Sequence, residues 1–172
     1  QIFETVAQPV VMSALDGFNG TVFAYGQTGS GKTYTITGGE RHISERGLIP
    51  RTLSLLFKEF SQRTEYSFQM HVSYLEIYNN NGYDLLSPKS DGKKDVEDLP
   101  RVFVEQDEKG SIHLHNLCAP SVKTEEEALN FLFEGDMNRM ITSTCMNDAS
   151  SRSHCIFSIL LTATKVATDT RR

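Results

Sequence analysis

Residues 26–33 read GQTGSGKT and follow directly on the apolar, β-prone run TVFAY at 21–25. Glycine loses more backbone freedom on folding than any other residue, so a cluster of it marks a bend that side chains would forbid. The spacing is G-x-x-x-x-G-K-T. Glycines at those places let the backbone wrap with its N–H groups turned inward. Such amides cradle phosphate oxygens, and a following helix adds the positive end of its dipole. Lys32 would reach the β- and γ-phosphates of a nucleoside triphosphate, and the Thr33 hydroxyl would bind Mg²⁺. The candidate nucleotide-binding residues are therefore Gly26, Gln27, Thr28, Gly29, Ser30, Gly31, Lys32 and Thr33. The bland alternative, a glycine-rich turn of no consequence, is disfavoured by the placement between an expected strand and an expected helix.

A chain of 172 residues suffices for one domain or most of one. The net charge of −5 argues against nucleic acid as the main partner. No apolar run approaches a membrane span, so no membrane is expected in this segment. Cys118, Cys145 and Cys155 are odd in number and include no CxxC, which points to reduced thiols and away from structural zinc. His113 and His115 alternate on an expected strand, but no third ligand is near, so they read as strand histidines without a metal.

Along the chain, residues 1–16 have helical apolar spacing, with Pro9 expected to kink the helix or divide it from a short first turn. Asp16–Gly20 is turn chemistry. Thr21–Tyr25 reads as a strand buried on both faces. A helix should start near Lys32, break at Gly38 and Gly39, and give way to a second helical pattern from Leu48 through Phe60. Tyr66–Tyr78 alternates and is a long strand, residues 87–100 a loop, and Arg101–Glu105 and Ser111–Leu117 short strands joined by a charged turn. Thr124 and Glu127 form a capping box. The helix they open would carry Ala128, Leu129, Leu132, Phe133, Met137 and Met140 on one apolar face, and Cys155–Thr162 is a final strand. Strands alternating with helices imply an α/β sandwich.

A second polar cluster, NDASSRSH at 147–154, concentrates hydroxyls, an arginine and a histidine ahead of that last strand. Alone, such a segment is equally a solvated loop. Beside a phosphate loop it can supply a second Mg²⁺ ligand, contact the γ-phosphate and orient the attacking water. It would then be ordered by the triphosphate and loosened by hydrolysis.

GTVFAYGQTGSGKTYT, YLEIYNNNGYDLL, GDMNRMI and NDASSRSH, in that order, resemble the motor domain of a kinesin over essentially the whole chain. Gly82–Leu86 and SRSHCIF are most similar to the ninth kinesin family, associated with cilia and flagella. The resemblance implies a phosphate-loop NTPase of kinesin motor type. This is an α/β three-layer sandwich with a central mixed, mainly parallel β-sheet and helices on both faces, here incomplete. Tyr34 would lie against the adenine of ATP. Asn147, Ser150, Ser151, Arg152, Ser153 and His154 would form switch I, with Asn147, Ser150, Ser151 and Arg152 as its catalytic members. Ser151 would join Thr33 around Mg²⁺, Ser150 would sit by the γ-phosphate and the lytic water, and Arg152 would form the gate ion pair. Arg139 would sense nucleotide state, although a solvated helix-end cation explains it as well. Lys109 and the lysines at 89–94 are the microtubule-contact candidates in view. The turn around Lys109 is acidic, so it should attract acidic tubulin weakly.

The family's first strand, DxxGxE switch II motif, microtubule-binding helix and neck linker do not appear in the sequence, so residues 1–172 read as the central part of a motor domain. The expected function is ATP hydrolysis coupled to microtubule binding, in the cytoplasm and cytoskeleton and in a ciliary or flagellar axoneme. Axonemal proteins would be further partners, and a stalk coiled coil outside this span would allow oligomers. These 172 residues alone are expected to show no microtubule-stimulated ATPase. Two alternatives stand beside that reading. One is a microtubule-associated scaffold with a vestigial ATPase, which intact Lys32, Thr33, Ser150, Ser151 and Arg152 oppose. The other is a nucleotide kinase, which would need a lid-arginine cluster that the sequence lacks.

Overall fold

The computed structural model describes residues 1–39, 45–87, 99–143 and 153–166, the side chains of 140–143 excepted. These fall into two compact units, one from the described residues of 1–70, 123–125 and 161–172, the other from those of 71–122 and 126–160.

The first unit starts with a π-helical turn, Phe3–Ala7, that runs into helix α1, Gln8–Leu15. Pro9 sits at the start of α1, directly after the π-helical turn, so the expected division falls beside the proline. Helix α2 is Lys32–Ile36 and α3 is Leu48–Gln62. Leu48, Leu53 and Leu56 of α3 are buried, as are Ala7, Val11 and Leu15 of the N-terminal segment, which packs on it. Phe60 of α3 stacks on Phe68 at 4.5 Å between ring centroids. Arg63 closes the helix by pairing with Glu59 at 3.4 Å and Asp16 at 3.1 Å.

Residues 21–25 correct the sequence expectation. They form no strand among the described residues, and Phe23 and Tyr25 are 80% and 95% exposed. A strand exists only where neighbours bond its edges, and no described ladder reaches this pentapeptide. Its β-propensity therefore has nothing to act on.

Most of the sheet belongs to the second unit. Strand β1 is Tyr66–Tyr78, β2 Asn81–Asp84, β3 Arg101–Gln106, β4 Ile112–His115, β5 Ser121–Val122 and β6 Ser153–Lys165. The order is β4-β3-β2-β1-β5, with β6 also on β1. The β1–β2, β2–β3 and β3–β4 ladders are antiparallel. Asn79 and Asn80 join β1 to β2 with φ of +47° and +63°. Asparagine tolerates that left-handed backbone better than most residues, which suits the two-residue hairpin turn that sets the register. Gly82 has its own reason: a Cβ there would lie 3.2 Å from both the Cβ and the carbonyl of Val102 across the ladder.

Helix α4, Glu125–Ser143, begins one residue after Thr124, where the capping box placed it. Its apolar face is narrower than expected. Ala128 and Leu132 are buried with Gly135 and Asn138, but Phe133 is 67% exposed and Met137 is exposed as well. The buried stripe follows Gly135, where a Cβ would collide with the Tyr74 ring. The backbone approaches the sheet at that point and turns the 133/137 side outward.

Candidate functional site

The phosphate-loop sequence forms the turn it predicts. Gly29 and Gly31 have φ of +81° and +86°, and Gly31 is the left-handed residue immediately before α2. A Cβ on Gly26 would lie 2.6 Å from Ser30 Oγ, so a larger residue there would require that hydroxyl to turn away. The Ser30 amide donates to the Gln27 carbonyl at 3.2 Å, and the first intrahelical bond is Thr35 N–H to Gly31 O at 2.9 Å. The first-turn amides of α2 consequently have no intrahelical acceptor and face the loop end. Lys32 turns back over the loop, and its Nζ donates to the carbonyls of Gly26 and Gln27, each at 2.8 Å. An ammonium held by two neutral carbonyls exchanges them readily for charged phosphate oxygens, whose hydrogen bonds are stronger. The glycine cradle, the lysine and the adjacent Thr33 hydroxyl thus fit a triphosphate with Mg²⁺. Tyr34 is 57% exposed, with its ring edge beside Gly39.

Behind the loop, α2 is clamped at its C-terminal end. Gly39 N–H donates to Glu45 O at 3.0 Å and Gly47 N–H to Thr37 O at 3.1 Å, with a β-bridge between Gly38 and Arg46. Arg51 Nε holds the Arg46 carbonyl at 2.7 Å, and Glu125 accepts from Ser54 Oγ at 2.5 Å.

Of the second cluster, Asn147, Ser150, Ser151 and Arg152 lie outside the described residues, while Ser153 and His154 open β6. Ser153 Oγ donates to Glu76 Oε1 at 2.5 Å. Glu76 is only 4% exposed. Burial pushes its carboxyl up, opposed by the Ser153 hydrogen bond and the Arg139 charge. Beside it, Tyr74 OH donates to Asp136 Oδ1 at 2.8 Å, and Arg139 lies 3.9 Å from the same oxygen. Burial also raises Asp136, and it raises the Cys155 thiol to about 11, which leaves that cysteine protonated and unreactive. Sequence reading placed Arg139 here but missed Tyr74, Glu76 and Asp136. The available signal was an acid inside the apolar strand run YLEIY.

The raised Glu76 carboxyl carries a pH signature. A folded-state pKa above the ordinary 4.5 means the folded protein binds this proton more tightly than the unfolded chain does. The stability the group contributes therefore falls as pH rises through and above that ordinary value. Glu76→Gln keeps an acceptor for Ser153 and cannot ionise. Relative to wild type, its melting temperature in the full-length protein should be higher at pH 7.5 than at pH 4.5. A difference constant across that range would show that burial does not bear on this carboxyl.

The kinesin motor domain family model matches residues 1–172. The chain belongs to the kinesin motor domain family. It is 45% identical over 162 residues to the kinesin-like protein KIF9 of Mus musculus, covering 94% of this chain and 20% of that protein. It is 41% identical over 157 residues to the kinesin-like protein KLP1 of Chlamydomonas reinhardtii, covering 91% and 20%. A solved structure of a fast kinesin superposes with a TM-score of 0.84 at 34% identity, covering 95% of this chain and 44% of that one. The chain thus spans about a fifth of the length of these curated relatives. The expected phosphate-loop NTPase fold of kinesin motor type is borne out by this match.

In this kinesin chain the β3–β4 hairpin carries Lys109 at its exposed tip. Asp107 accepts the amides of Lys109 and Ser111 at 2.9 and 2.8 Å, and Gly110 supplies a φ of +83°. His113 faces Asp107 at 3.1 Å and His115 faces Glu105 at 2.8 Å, so each histidine has a carboxylate partner. The hydrogen bond from His113, with the two amides, holds Asp107 below the usual carboxylate range. The lysines at 89–94 lie outside the described residues.

Proposed function

We propose that this kinesin family chain is part of a microtubule-activated ATPase motor, with residues 1–172 forming a piece of its motor domain. The observation that carries the reading is the loop 26–33, where positive-φ glycines lead into α2 and Lys32 folds back over the loop. The fast kinesin of the structural match was studied for its ATPase mechanism and interactions with microtubules.

In this reading the loop amides from Gly26 to Thr33 bind the phosphate tail, and Lys32 neutralises charge that develops on the terminal phosphoryl group. Tyr34 stacks on the base. Thr33 and Ser151 would hold Mg²⁺, which would supply charge neutralisation to the phosphate tail. Ser150 sits by the γ-phosphate and the attacking water, Asn147 is a further catalytic member, and Arg152 forms the gate ion pair. Ser153 and His154 complete switch I, and Arg139 reports nucleotide state. Lys109 makes a weak microtubule contact. No covalent intermediate is needed, because positioning and charge do the chemistry.

Similarity to KIF9 and KLP1 supports the ninth-family reading, and with it an axonemal location in cilia or flagella and axonemal partners. The family's stalk, outside this span, would supply a coiled coil for oligomerisation. Phosphate release by the full-length protein, with and without microtubules, tests the motor reading. Stimulation by microtubules is expected. ATP binding without any stimulated turnover would favour the non-motile scaffold instead.

A further inference from the structure

We propose that Glu76 is a positioning residue that anchors Ser153, and with it His154, where the serine-rich cluster enters β6. The inference rests on the ATPase reading above and adds a residue that the family motifs around the phosphates do not include. Three observations carry it. Glu76 sits in the middle of β1 between Leu75 and Ile77, 4% exposed. Its Oε1 takes the Ser153 hydroxyl at 2.5 Å. Its Oε2 is buried and has no hydrogen-bond partner among the described residues.

A buried carboxyl is a costly way to stabilise a sheet. Leucine or isoleucine at this strand position would bury as well without desolvating a charge. What the carboxylate provides, and an apolar side chain cannot, is a directional bond to one hydroxyl on the neighbouring strand. Arg139, across from it on α4, supplies favourable charge. Asp136 and Tyr74 flank that arginine and Cys155 lies two residues beyond Ser153, so the anchor sits among groups that are themselves held. Fixing Ser153 fixes the start of β6, at the described residue next in sequence to the catalytic members of the cluster. Misplacing a catalytic segment by about 1 Å is enough to slow the chemistry it performs.

The test uses the full-length protein with Ser153→Ala, Glu76→Leu, their combination, and Glu76→Gln. Two readouts are taken. The first is amide hydrogen exchange at Ser153–Cys155 without nucleotide. The second is single-turnover ATP cleavage together with the affinity for ATP. Ser153→Ala and Glu76→Leu are each expected to speed exchange and to slow cleavage about tenfold, with ATP affinity within about twofold. The double variant should be no worse than either single one, because both remove the same bond. Glu76→Gln, which keeps the acceptor, should recover most of the exchange protection and of the cleavage rate. Wild-type exchange and cleavage in Ser153→Ala, or effects that multiply in the double variant, would overturn the proposal. Should Glu76→Leu not fold, the comparison of Ser153→Ala with Glu76→Gln decides by the same criteria. If wild type cleaves no ATP, the ATPase reading fails while the exchange result still judges the anchor. If wild type cleaves normally and exchange is unchanged in the variants, the anchor alone fails.

Discussion

Lys32→Ala in the full-length protein should lower ATP turnover by about a hundredfold or more, while leaving the fold intact. Among the described residues the side chain makes two hydrogen bonds, both to carbonyls of its own loop. Neither ties the loop to another element, so their loss costs little stability. In the transition state the same ammonium would face negative charge on the transferring phosphoryl group. There an electrostatic donor in a preorganised cradle is worth several powers of ten in rate. The expected pattern is a near-unchanged melting temperature, weakened ATP binding and turnover near background with saturating microtubules. Phosphate release by Lys32→Ala at the wild-type rate would show that the loop does not act on the terminal phosphate. It would remove the main support for a motor.

The loop was legible because everything it needs is local. Gly29, Gly31 and Lys32 act through backbone torsions and a reach of a few residues, and spacing encodes both. The same holds for β1, where alternation between Tyr66 and Tyr78 reports the sheet's faces, and for α3, whose apolar stripe runs from Leu48. Readings that depend on a distant partner fared worse. Residues 21–25 have strand chemistry but no bonded neighbour among the described residues, and their aromatic rings stay exposed. The face of α4 was drawn too wide because its orientation is set by Gly135 against Tyr74, a contact that no periodicity contains. Glu76 and Ser153 are an ordinary acid and an ordinary serine until folding brings β1 beside β6.

Gly47→Ala should be strongly destabilising, costing roughly 3 kcal/mol. Gly47 has an ordinary φ of −76°, so conformational strain is not the reason. The reason is space. An added Cβ would lie 2.5 Å from the Ile36 carbonyl oxygen, 2.5 Å from the Thr37 carbonyl carbon and 2.6 Å from the Gly38 nitrogen. All three are backbone atoms, which cannot rotate away as a side-chain tip would. Relief requires the residues after α2 to separate from those before α3, which breaks the 3.1 Å bond from Gly47 N–H to Thr37 O and the Gly38–Arg46 bridge. Because α2 is only five residues long, displacing its C-terminal end also displaces the end that carries Lys32 and Thr33. The substitution should therefore lower stability and weaken ATP binding together, unlike Lys32→Ala, which should affect function alone. Urea unfolding and nucleotide titration of the two variants in parallel measure this separation. A Gly47→Ala protein of wild-type stability with normal ATP affinity would mean that the clamp behind the loop yields freely and does not hold the nucleotide cradle in place.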